Sequence, residues 1–306
     1  MRTLVIGESL IDIVHRPDGS AREHVGGSPA NVAVGLARLG HEVTLATMLG
    51  QDERGAKIAS LLHSEGVALT DDSVGGRSTS VATSTLDATG AATYSFDLTW
   101  ELNQDQPLEG LAHVHTGSVA ATLEPGATAV LGTLEKARPS ATISYDPNAR
   151  PALMGDPHDV RAKIEQLIGL SDVVKASDED IAWLYGQAPL SDILRLWGLL
   201  GPALVVVTRG DKGALIGLTI TGELTSIDAP VVEVVDTVGA GDSFMAGLLS
   251  GLLDAGLLGG IQARERLRSA SLADVRPAVH RALTCASVTV SRAGADPPRR
   301  AELGTR

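Results

Sequence analysis

Short hydrophobic runs alternate along the chain with stretches of helical periodicity. The runs predict β-strands, because each is bounded by Gly, Pro, Asp or Ser. The predicted strands cover residues 3–7, 42–48, 111–115, 141–146, 172–175, 203–208 and 231–235. The predicted helices lie near residues 29–39, 53–65, 125–137, 158–169, 178–186, 191–199, 242–256 and 272–291. This alternation is typical of βαβ units and predicts an α/β fold with a parallel sheet covered on both faces.

Residues 78–98 depart from this rhythm, because apolar and polar residues alternate there and many are Thr, Ser or Val. Ala88-Thr89-Gly90 supplies a turn, so the segment predicts a β-hairpin. Further strands of the same kind are expected before the first helix. We expect a small β-layer, with strands within about 9–26 and 78–100, that projects from the main sheet as a lid over a pocket.

The composition is that of a folded globular protein. The 306 residues are 43% hydrophobic and 20% charged, and no linker or repeat divides them, so a single domain over 1–306 is expected. The formal net charge is −12, which argues against a binder of extended nucleic acid. Cys285 is the only cysteine, so an intrachain disulfide and a Cys-based zinc site are excluded.

The hydrophobic segments are too short or too interrupted for a membrane protein. Glu8 comes too early for the apolar region of a signal peptide, and Asp254 interrupts the Leu- and Gly-rich run in the last third of the chain. We therefore expect no membrane segment and a cytoplasmic location.

The motif Gly26-Gly27-Ser28-Pro29-Ala30-Asn31 marks the start of a predicted helix. Ser28 suits the N-cap, Pro29 the first helical position, and Gly40 the position after the last turn. The glycines let the backbone approach a ligand closely, and Asn31 in the first turn points back toward them. A well-capped helix in which Asn31 binds only local backbone is an equally good interpretation.

The motif Asp236-Thr237-Val238-Gly239-Ala240-Gly241-Asp242 follows the predicted strand 231–235 and opens another helix. Successive amides of residues 239–241 can converge on an anion at such a helix start. Asp242, beside them, can take a proton from a hydroxyl while the amides hold a phosphoryl group. Asp242 can also serve only to stabilise the helix N-terminus. We favour the catalytic interpretation, because the small-residue turn and the acid meet both requirements.

These two motifs resemble, in order and separation, the two signatures of the ribokinase-like sugar kinases, the PfkB family. The segment Ser291-Arg292-Ala293-Gly294-Ala295 resembles that family's closing segment. The resemblance covers essentially the whole chain and is greatest to the fructokinases. It implies an α/β fold of the ribokinase-like kind, a three-layer sandwich with a mostly parallel central sheet and a small β-lid. It also implies ATP as the phosphate donor and a sugar hydroxyl as the acceptor.

The resemblance implies roles for individual residues. Asp242 would be the base, and the amides of Gly239, Ala240 and Gly241 would form the anion hole. The sugar would be bound by residues of the first motif and of the lid, namely Asp12, Gly26, Gly27, Asn31 and Phe96. A potassium ion would be held by carbonyls near Asp236, Thr237 and the loop 293–295.

Two further segments resemble functional loops of the family. Asp146-Pro147-Asn148-Ala149-Arg150 looks like a fructokinase segment whose arginine neutralises the transferring phosphate, and a plain capped loop is the alternative. Ser177-Asp178-Glu179-Asp180 stands where the family has a magnesium-linked Asn-x-x-Glu motif. Asp180 would then act on Mg²⁺ through water, or the segment is simply a capped helix start.

The nucleotide site is predicted near the end of a strand. Residues 207–213 resemble the family's nucleotide-contacting loop, although a simple turn has much the same sequence. The predicted nucleotide contacts are Thr208, Gly210 and Lys175.

The charge pattern of the lid bears on the acceptor. Residues 78–135 contain no Lys or Arg, and a charged sugar normally needs a cationic clamp. A neutral sugar is therefore favoured. The candidate clamps that remain are Arg16, Arg22 and Arg77. The aromatic residues that suit a sugar ring or a nucleobase are Tyr94, Phe96 and Trp100.

The leading hypothesis is an ATP- and Mg²⁺-dependent kinase of a neutral sugar, with fructose as the expected acceptor. The alternatives within the family are a 2-keto-3-deoxygluconate kinase and a ribose or nucleoside kinase. A non-catalytic sugar sensor is a different class, and the retention of Asp242 with a complete turn speaks against it. The expected partners are ATP, a small sugar and a second copy of the chain joined through the lid.

Overall fold

The computed structural model describes residues 1–75, 78–86, 92–103 and 106–304. Its strands are β1 (Arg2–Ile6), β2 (Leu10–His15), β3 (Ala21–Gly26), β4 (Glu42–Ala46), β5 (Leu49–Gly50), β6 (Val67–Leu69), β7 (Val74–Gly75), β8 (Val81–Leu86), β9 (Ala92–Asp97), β10 (Leu111–Gly117), β11 (Thr142–Asp146), β12 (Val173–Ser177), β13 (Leu204–Thr208), β14 (Ala214–Leu218) and β15 (Glu223–Ile227). Its helices are α1 (Ser28–Arg38), α2 (Glu53–Ser64), α3 (Gly126–Ala137), α4 (Pro151–Met154), α5 (Pro157–Leu170), α6 (Asp178–Tyr185), α7 (Leu190–Leu200), α8 (Ala240–Asp254), α9 (Ile261–Arg268) and α10 (Leu272–Val290). Short 3₁₀ helices lie at Ser118–Ala121, Gly210–Lys212 and Arg300–Leu303.

A nine-stranded sheet forms the middle layer, in the order β15-β14-β13-β12-β11-β10-β1-β4-β6. Neighbouring strands are parallel from β13 to β6, and β14 and β15 continue the sheet antiparallel. One core packs α1, α8 and α10 against one face, and a second core packs α3, α5 and α7 against the other. The predicted three-layer arrangement is confirmed.

The inner strands are buried on both faces. In β12, Val173 belongs to one core and Val174 to the other, as expected when successive side chains alternate across a sheet. The predicted strands of the parallel part of the sheet therefore appear where continuous apolar runs mark them. Among the described residues no helix is both long and apolar enough to cross a membrane.

The prediction of a buried strand at residues 231–235 is wrong. Val231 is fully exposed and Val234 is 60% exposed, outside any strand. The sheet edge on this side is occupied by the β14–β15 hairpin. The segment lies instead at the end of α10, where the amides of Val235 and Asp236 donate to the Val290 carbonyl at 2.8 and 3.2 Å. β-Branched composition favours extended backbone but does not supply a partner strand.

A second, four-stranded sheet, which we call the small sheet, has the order β3-β2-β8-β9. The pairs β2–β3 and β8–β9 are antiparallel, and β2–β8 is parallel. The hairpin thus lies in the segment 78–98, whereas its expected turn at 88–90 lies outside the described residues. The small sheet begins directly after β1.

The direction of the strand order changes at β1. β1 lies between β10 and β4, so the chain builds outward from it in both directions. In open α/β sheets, ligands bind beyond the carboxyl ends of the strands at such a switch point. Asp146 ends β11, and Thr208 ends β13, at this same edge.

Candidate active site

Helix α8 begins at the carboxyl edge of the sheet. Gly239 precedes its first residue with a φ of 74°, in the left-handed region that favours glycine. A Cβ at Gly239 would also lie 2.5 Å from the Cβ of Ala295. Asp242 is in the first turn and only 7% exposed. The helix start lies where it was predicted, although a loop and not a strand leads into it.

The turn 239–241 presents backbone amides at the positive end of α8. First-turn amides have no carbonyl acceptor within their own helix, which suits them to an anion. The amide of Ala240 also donates to the Thr237 carbonyl at 3.2 Å. The turn is anchored by Asp236, whose carboxylate accepts from the amides of Val238 at 3.0 Å and Gly294 at 2.8 Å. These amides hold the pKa of Asp236 below its usual value. The loop 293–295 is thereby fixed beside the turn.

The carboxylate of Asp242 is held by side chains from the first motif. The Ser28 hydroxyl donates to Oδ1 at 2.7 Å, and the Asn31 amide donates to Oδ2 at 2.8 Å. A third donor, the amide Nδ2 of Asn148, lies 3.5 Å from Oδ1. The two sequence motifs therefore form one site.

The prediction of Ser28 as an N-cap is wrong. Helix α1 begins at Ser28 itself, and Gly27, with a φ of 108°, precedes it. The Ser28 hydroxyl makes no capping bond and is free to bind Asp242. This role was not predicted from the sequence, because a serine that caps a helix and a serine that binds a distant carboxylate have the same local sequence pattern.

Both glycines of the first motif are required for space. A Cβ at Gly27 would lie 2.4 Å from the carbonyl oxygen of Glu8, and one at Gly26 would lie 2.0 Å from Oδ2 of Asp12. Gly26 thus leaves room for the Asp12 carboxylate on the neighbouring strand. Burial raises the pKa of Asp12, and the nearby charges of His24 and Arg150 partly offset this.

The register of the small sheet places its residues in rows on one face, because paired residues of adjacent strands point the same way. One row contains His24, Asp12, Ala82 and Phe96. The next row contains Arg22, Val14, Ser84 and Tyr94. The rings of Phe96 and Tyr94 stack at a centroid distance of 6.2 Å. The charge of Arg150 acts on Asp12 in the first of these rows.

The candidate clamps lie at different places. Arg22 lies on β3 and is exposed on the same face as Asp12, in the row next to that of Asp12. Arg16 is exposed in the β2–β3 turn, where its amide donates to the Ser20 carbonyl at 2.9 Å. Arg77 lies outside the described residues. Trp100 is not part of the small sheet's surface, since it is 3% exposed and donates to the Ala120 carbonyl at 2.9 Å.

The loop after β11 approaches Asp242 through Asn148, which has a φ of 38°. The exposed Arg150 folds back and donates to Oδ1 of Asn148 at 2.8 Å. This bond turns the Asn148 amide nitrogen toward Asp242. Arg150 thus lies at the rim of the site, close to the reacting region.

Asp180 joins the same loop to the start of α6. One of its oxygens accepts from the Ala149 amide at 2.7 Å and the other from the Ser177 amide at 2.7 Å. Ser177 in turn caps α6, so the capped helix start considered from the sequence is present. Among the described residues no three acidic, histidine or cysteine side chains cluster as metal ligands.

The predicted nucleotide contacts differ in their exposure to solvent. Thr208 ends β13, and Gly210 starts a 3₁₀ turn on the surface next to it. Lys175 is instead buried, with 3% of its side chain exposed, and its ammonium forms a 2.9 Å ion pair with Asp146.

Glu8 is a buried acid of this edge that sequence analysis did not consider as a site residue. It follows β1, and its Oε2 accepts from the Ala120 amide at 3.2 Å. Burial raises its pKa to about 7, although its backbone, Ser118 and Arg150 favour the charged form. Its place just after a buried strand, where the strand order changes direction, could have marked Glu8 as a candidate site residue.

Comparison with known proteins agrees with this geometry. The family model of the pfkB family carbohydrate kinases matches residues 2–301. The fructokinase of Klebsiella pneumoniae is 32% identical over 302 residues, which cover 95% of this chain and 94% of that protein. A fructokinase double mutant from Vibrio cholerae O395, solved with fructose, ADP and potassium ion, superposes with a TM-score of 0.81 at 25% identity over 99% of this chain and 96% of that one.

A second solved relative has a different acceptor. The aminoimidazole riboside kinase of Salmonella enterica, solved with aminoimidazole riboside and an ATP analogue, has a TM-score of 0.81 and 26% identity, covering 99% of this chain and 98% of that one. The match to the family model spans nearly the whole chain and includes both motifs that meet at Asp242. This chain is a member of the pfkB family of carbohydrate kinases.

Proposed function

We propose that this protein transfers the γ-phosphate of ATP to a hydroxyl of a neutral sugar, with fructose as the preferred acceptor. The observation that carries this proposal is the carboxylate of Asp242. It lies in the first turn of α8, beside amides suited to an anion, and is bound by Ser28 and Asn31 of the first motif. The proposed phosphate site at the turn 239–241 and the proposed site for the sugar hydroxyl therefore lie on either side of Asp242.

Asp242 acts as the general base. A sugar hydroxyl that donates to its carboxylate loses its proton to Asp242 as the hydroxyl oxygen bonds to the γ-phosphorus. The bond between that phosphorus and the ADP oxygen breaks at the same time, so the products are a sugar phosphate and ADP. Asn31 and Ser28 orient the carboxylate during this step.

The phosphoryl group is held by fixed dipoles. The amides of Gly239, Ala240 and Gly241 form the anion hole, which acts where charge develops in the transition state. Arg150, at the rim, adds a cation toward the transferring group. Thr208 and Gly210 contact the nucleotide farther along the sheet edge.

The sugar lies between the small sheet and α1. Asp12 and Asn31 bind its hydroxyls, and Gly26 and Gly27 allow this close approach because side chains there would collide with Asp12 and Glu8. Phe96, in the same row as Asp12, supplies an apolar face for the ring. The small sheet then acts as a lid.

A neutral acceptor is favoured by charge. Residues 78–135 provide no Lys or Arg. Among the described residues, Arg22 is the one arginine on the face of the small sheet that carries Asp12 and Phe96. A buried carboxylate or phosphate without a cation is costly. The fructokinases among the relatives support fructose in particular.

Two cations accompany the reaction. Mg²⁺ would come with ATP, since it readily keeps its waters and phosphate ligands. It would neutralise phosphate charge. K⁺ would be held by carbonyl oxygens near Asp236, Thr237 and the loop 293–295, which Asp236 fixes together.

A nucleoside-type acceptor is the second candidate. The stacked rings of Phe96 and Tyr94 suit a base, and the aminoimidazole riboside kinase is a structural relative. Release of ADP would be measured with fructose, ribose, 2-keto-3-deoxygluconate, adenosine, aminoimidazole riboside and fructose 6-phosphate. The highest kcat/KM is expected with fructose. Preference for a riboside supports the second candidate, and no ADP release with any acceptor rejects the kinase proposal.

If fructose 6-phosphate is preferred, the neutral-acceptor argument is wrong. Arg22→Ala then tests the clamp, with exposed Arg16→Ala as the matched control. Association through the small sheet stays a prediction, which sedimentation of the purified chain decides.

A further inference from the structure

A lysine is buried beneath the turn that opens α8. Lys175 lies on β12, next to Asp146 at the end of β11, and the two side chains are 3% and 1% exposed. Lys175 Nζ donates to Asp146 Oδ2 at 2.9 Å. The other oxygen, Asp146 Oδ1, is buried without a hydrogen-bond partner among the described residues.

This ion pair is costly as a purely structural feature. A buried pair rarely stabilises a fold more than apolar residues of the same volume, and an unsatisfied carboxylate oxygen adds to the cost. The neighbouring strand positions are apolar: Val173 and Val174 on β12 are completely buried. An aliphatic pair would therefore fit the local pattern, so the two charges call for another explanation.

The ammonium reaches the turn itself. A Cβ built at Gly241 would lie 3.1 Å from Lys175 Nζ. Among the described residues, apart from those of the same helix start, no other atom comes within 4 Å of that point. The ammonium lies against the backbone whose amides face the phosphate.

The surroundings keep Lys175 charged. Burial lowers its pKa, but the carboxylates of Asp146, Asp180 and Asp242 together raise it above the usual value. Burial raises the pKa of Asp146 to about 6, while Lys175 favours its charged form. The acids near the turn outnumber this one buried cation, and ATP brings further negative charge.

We infer that Lys175, held in place by Asp146, is a positioning residue of the phosphate site, a fixed positive charge beneath the turn 239–241 that strengthens its attraction for the transferring phosphoryl group. Asp146 fixes the ammonium under Gly241. The positive charge of Lys175 then adds to the electrostatic attraction that the turn amides exert on the phosphate. This inference rests on the proposed kinase function.

The test uses the full chain and three variants. Lys175→Met removes the charge at nearly constant length, Asp146→Asn removes the partner, and the double variant replaces the ion pair with two neutral side chains. Lys163→Met is the matched control, because Lys163 lies on α5 and pairs with Glu124 at the surface. For each, Tm, kcat, KM for fructose, and the Kd values of ADP and of β,γ-methylene ATP are measured.

We expect Lys175→Met to lower kcat by about 10²-fold, the size seen when one donor to a developing anion is removed. KM for fructose and Kd for ADP should stay within about threefold of the parent, because uniform binding is not affected. The γ-phosphate analogue should bind about tenfold more weakly. The double variant should regain the Tm of the parent but not its kcat, and Lys163→Met should match the parent.

A double variant that regains both Tm and kcat would overturn the inference, since the pair would then be structural. Equal weakening of ADP and the analogue would do the same. If the parent phosphorylates none of the acceptors, the proposed function has failed. The ratio of the two nucleotide affinities still decides the role of Lys175, since it requires no sugar.

Discussion

The hydroxyl of Ser28 donates to the carboxylate of Asp242 at 2.7 Å, across 214 positions of sequence. This bond joins the start of α1 to the start of α8, and Asn31 completes it by donating to the second oxygen at 2.8 Å. In the proposed reaction, the base is therefore oriented by the same helix start that receives the sugar.

Ser28→Ala should lower kcat by about 10- to 100-fold, because a hydrogen bond to a charged group is worth roughly 1.5–3 kcal/mol. KM for ATP should not change, since Ser28 lies on the sugar side of Asp242. Ser28→Thr keeps the hydroxyl and should retain most of the activity. Steady-state kinetics with fructose as the varied substrate checks this. Parent-like kcat in Ser28→Ala would show that the bond does not orient the base.

Asp242→Asn should lower kcat by about 10²–10⁴-fold, the usual contribution of a general base. The amide preserves the shape of the side chain, so fructose and ATP should still bind, as isothermal calorimetry would measure. Asp254→Asn is the control, because it makes the same change at the other end of α8. There Asp254 pairs with Arg281 at 2.6 Å and Arg300 at 3.0 Å. Equal activities of the two variants would remove Asp242 from the mechanism.

The sequence predicted the main sheet because its inner strands are apolar on both faces. The same rule failed at residues 231–235, where a run of valines lies exposed beside α10. It also missed β14 and β15, since Gly217 interrupts one strand and Glu223 begins a half-polar edge strand. Helix α9 was missed because it is largely charged.

The candidate site was predictable only as far as its glycines and acids mark it locally. The places of Asp242 and of the turn 239–241 follow from their own neighbours in sequence. The contacts of Ser28 with Asp242 and of Lys175 with Asp146 do not, because each joins different strands or helices. Such contacts depend on strand order, which no local pattern encodes.

Gly26→Ala should raise KM for fructose by about tenfold while leaving KM for ATP unchanged. The new Cβ would lie 2.0 Å from Oδ2 of Asp12, so the carboxylate must turn away from the sugar. Little stability should be lost, because a side-chain end can move more easily than backbone. Gly132→Ala, in α3, is the control and should leave both KM values unchanged, because nothing in the described part of the chain outside its own helix lies within 4 Å of the new Cβ.

A double-mutant cycle makes this assignment specific. In an Asp12→Ala background, Gly26→Ala should have no further effect on KM for fructose, because the group it displaces is absent. Additive effects in the double variant would show that Gly26 acts on the sugar by another route.

Glu8→Gln should stabilise the protein more at pH 8 than at pH 5. Burial raises the pKa of Glu8 from 4.5 to about 7, so between these values the folded chain holds a proton that the unfolded chain has lost. The folded state is therefore penalised increasingly as pH rises through this window, and the penalty is constant above it. Glutamine is neutral throughout and avoids the penalty.

Urea unfolding of parent and Glu8→Gln at both pH values measures this effect. The difference in unfolding free energy between variant and parent should favour the variant by roughly 2–3 kcal/mol more at pH 8, from 1.36 kcal/mol per pKa unit. Other titrating groups cancel, because they are common to both proteins. Any fixed cost of the glutamine amide near Ala120 also cancels between the two pH values. A difference independent of pH would mean that Glu8 is charged in the folded protein at pH 5, and that Arg150 and the Ala120 amide outweigh its burial.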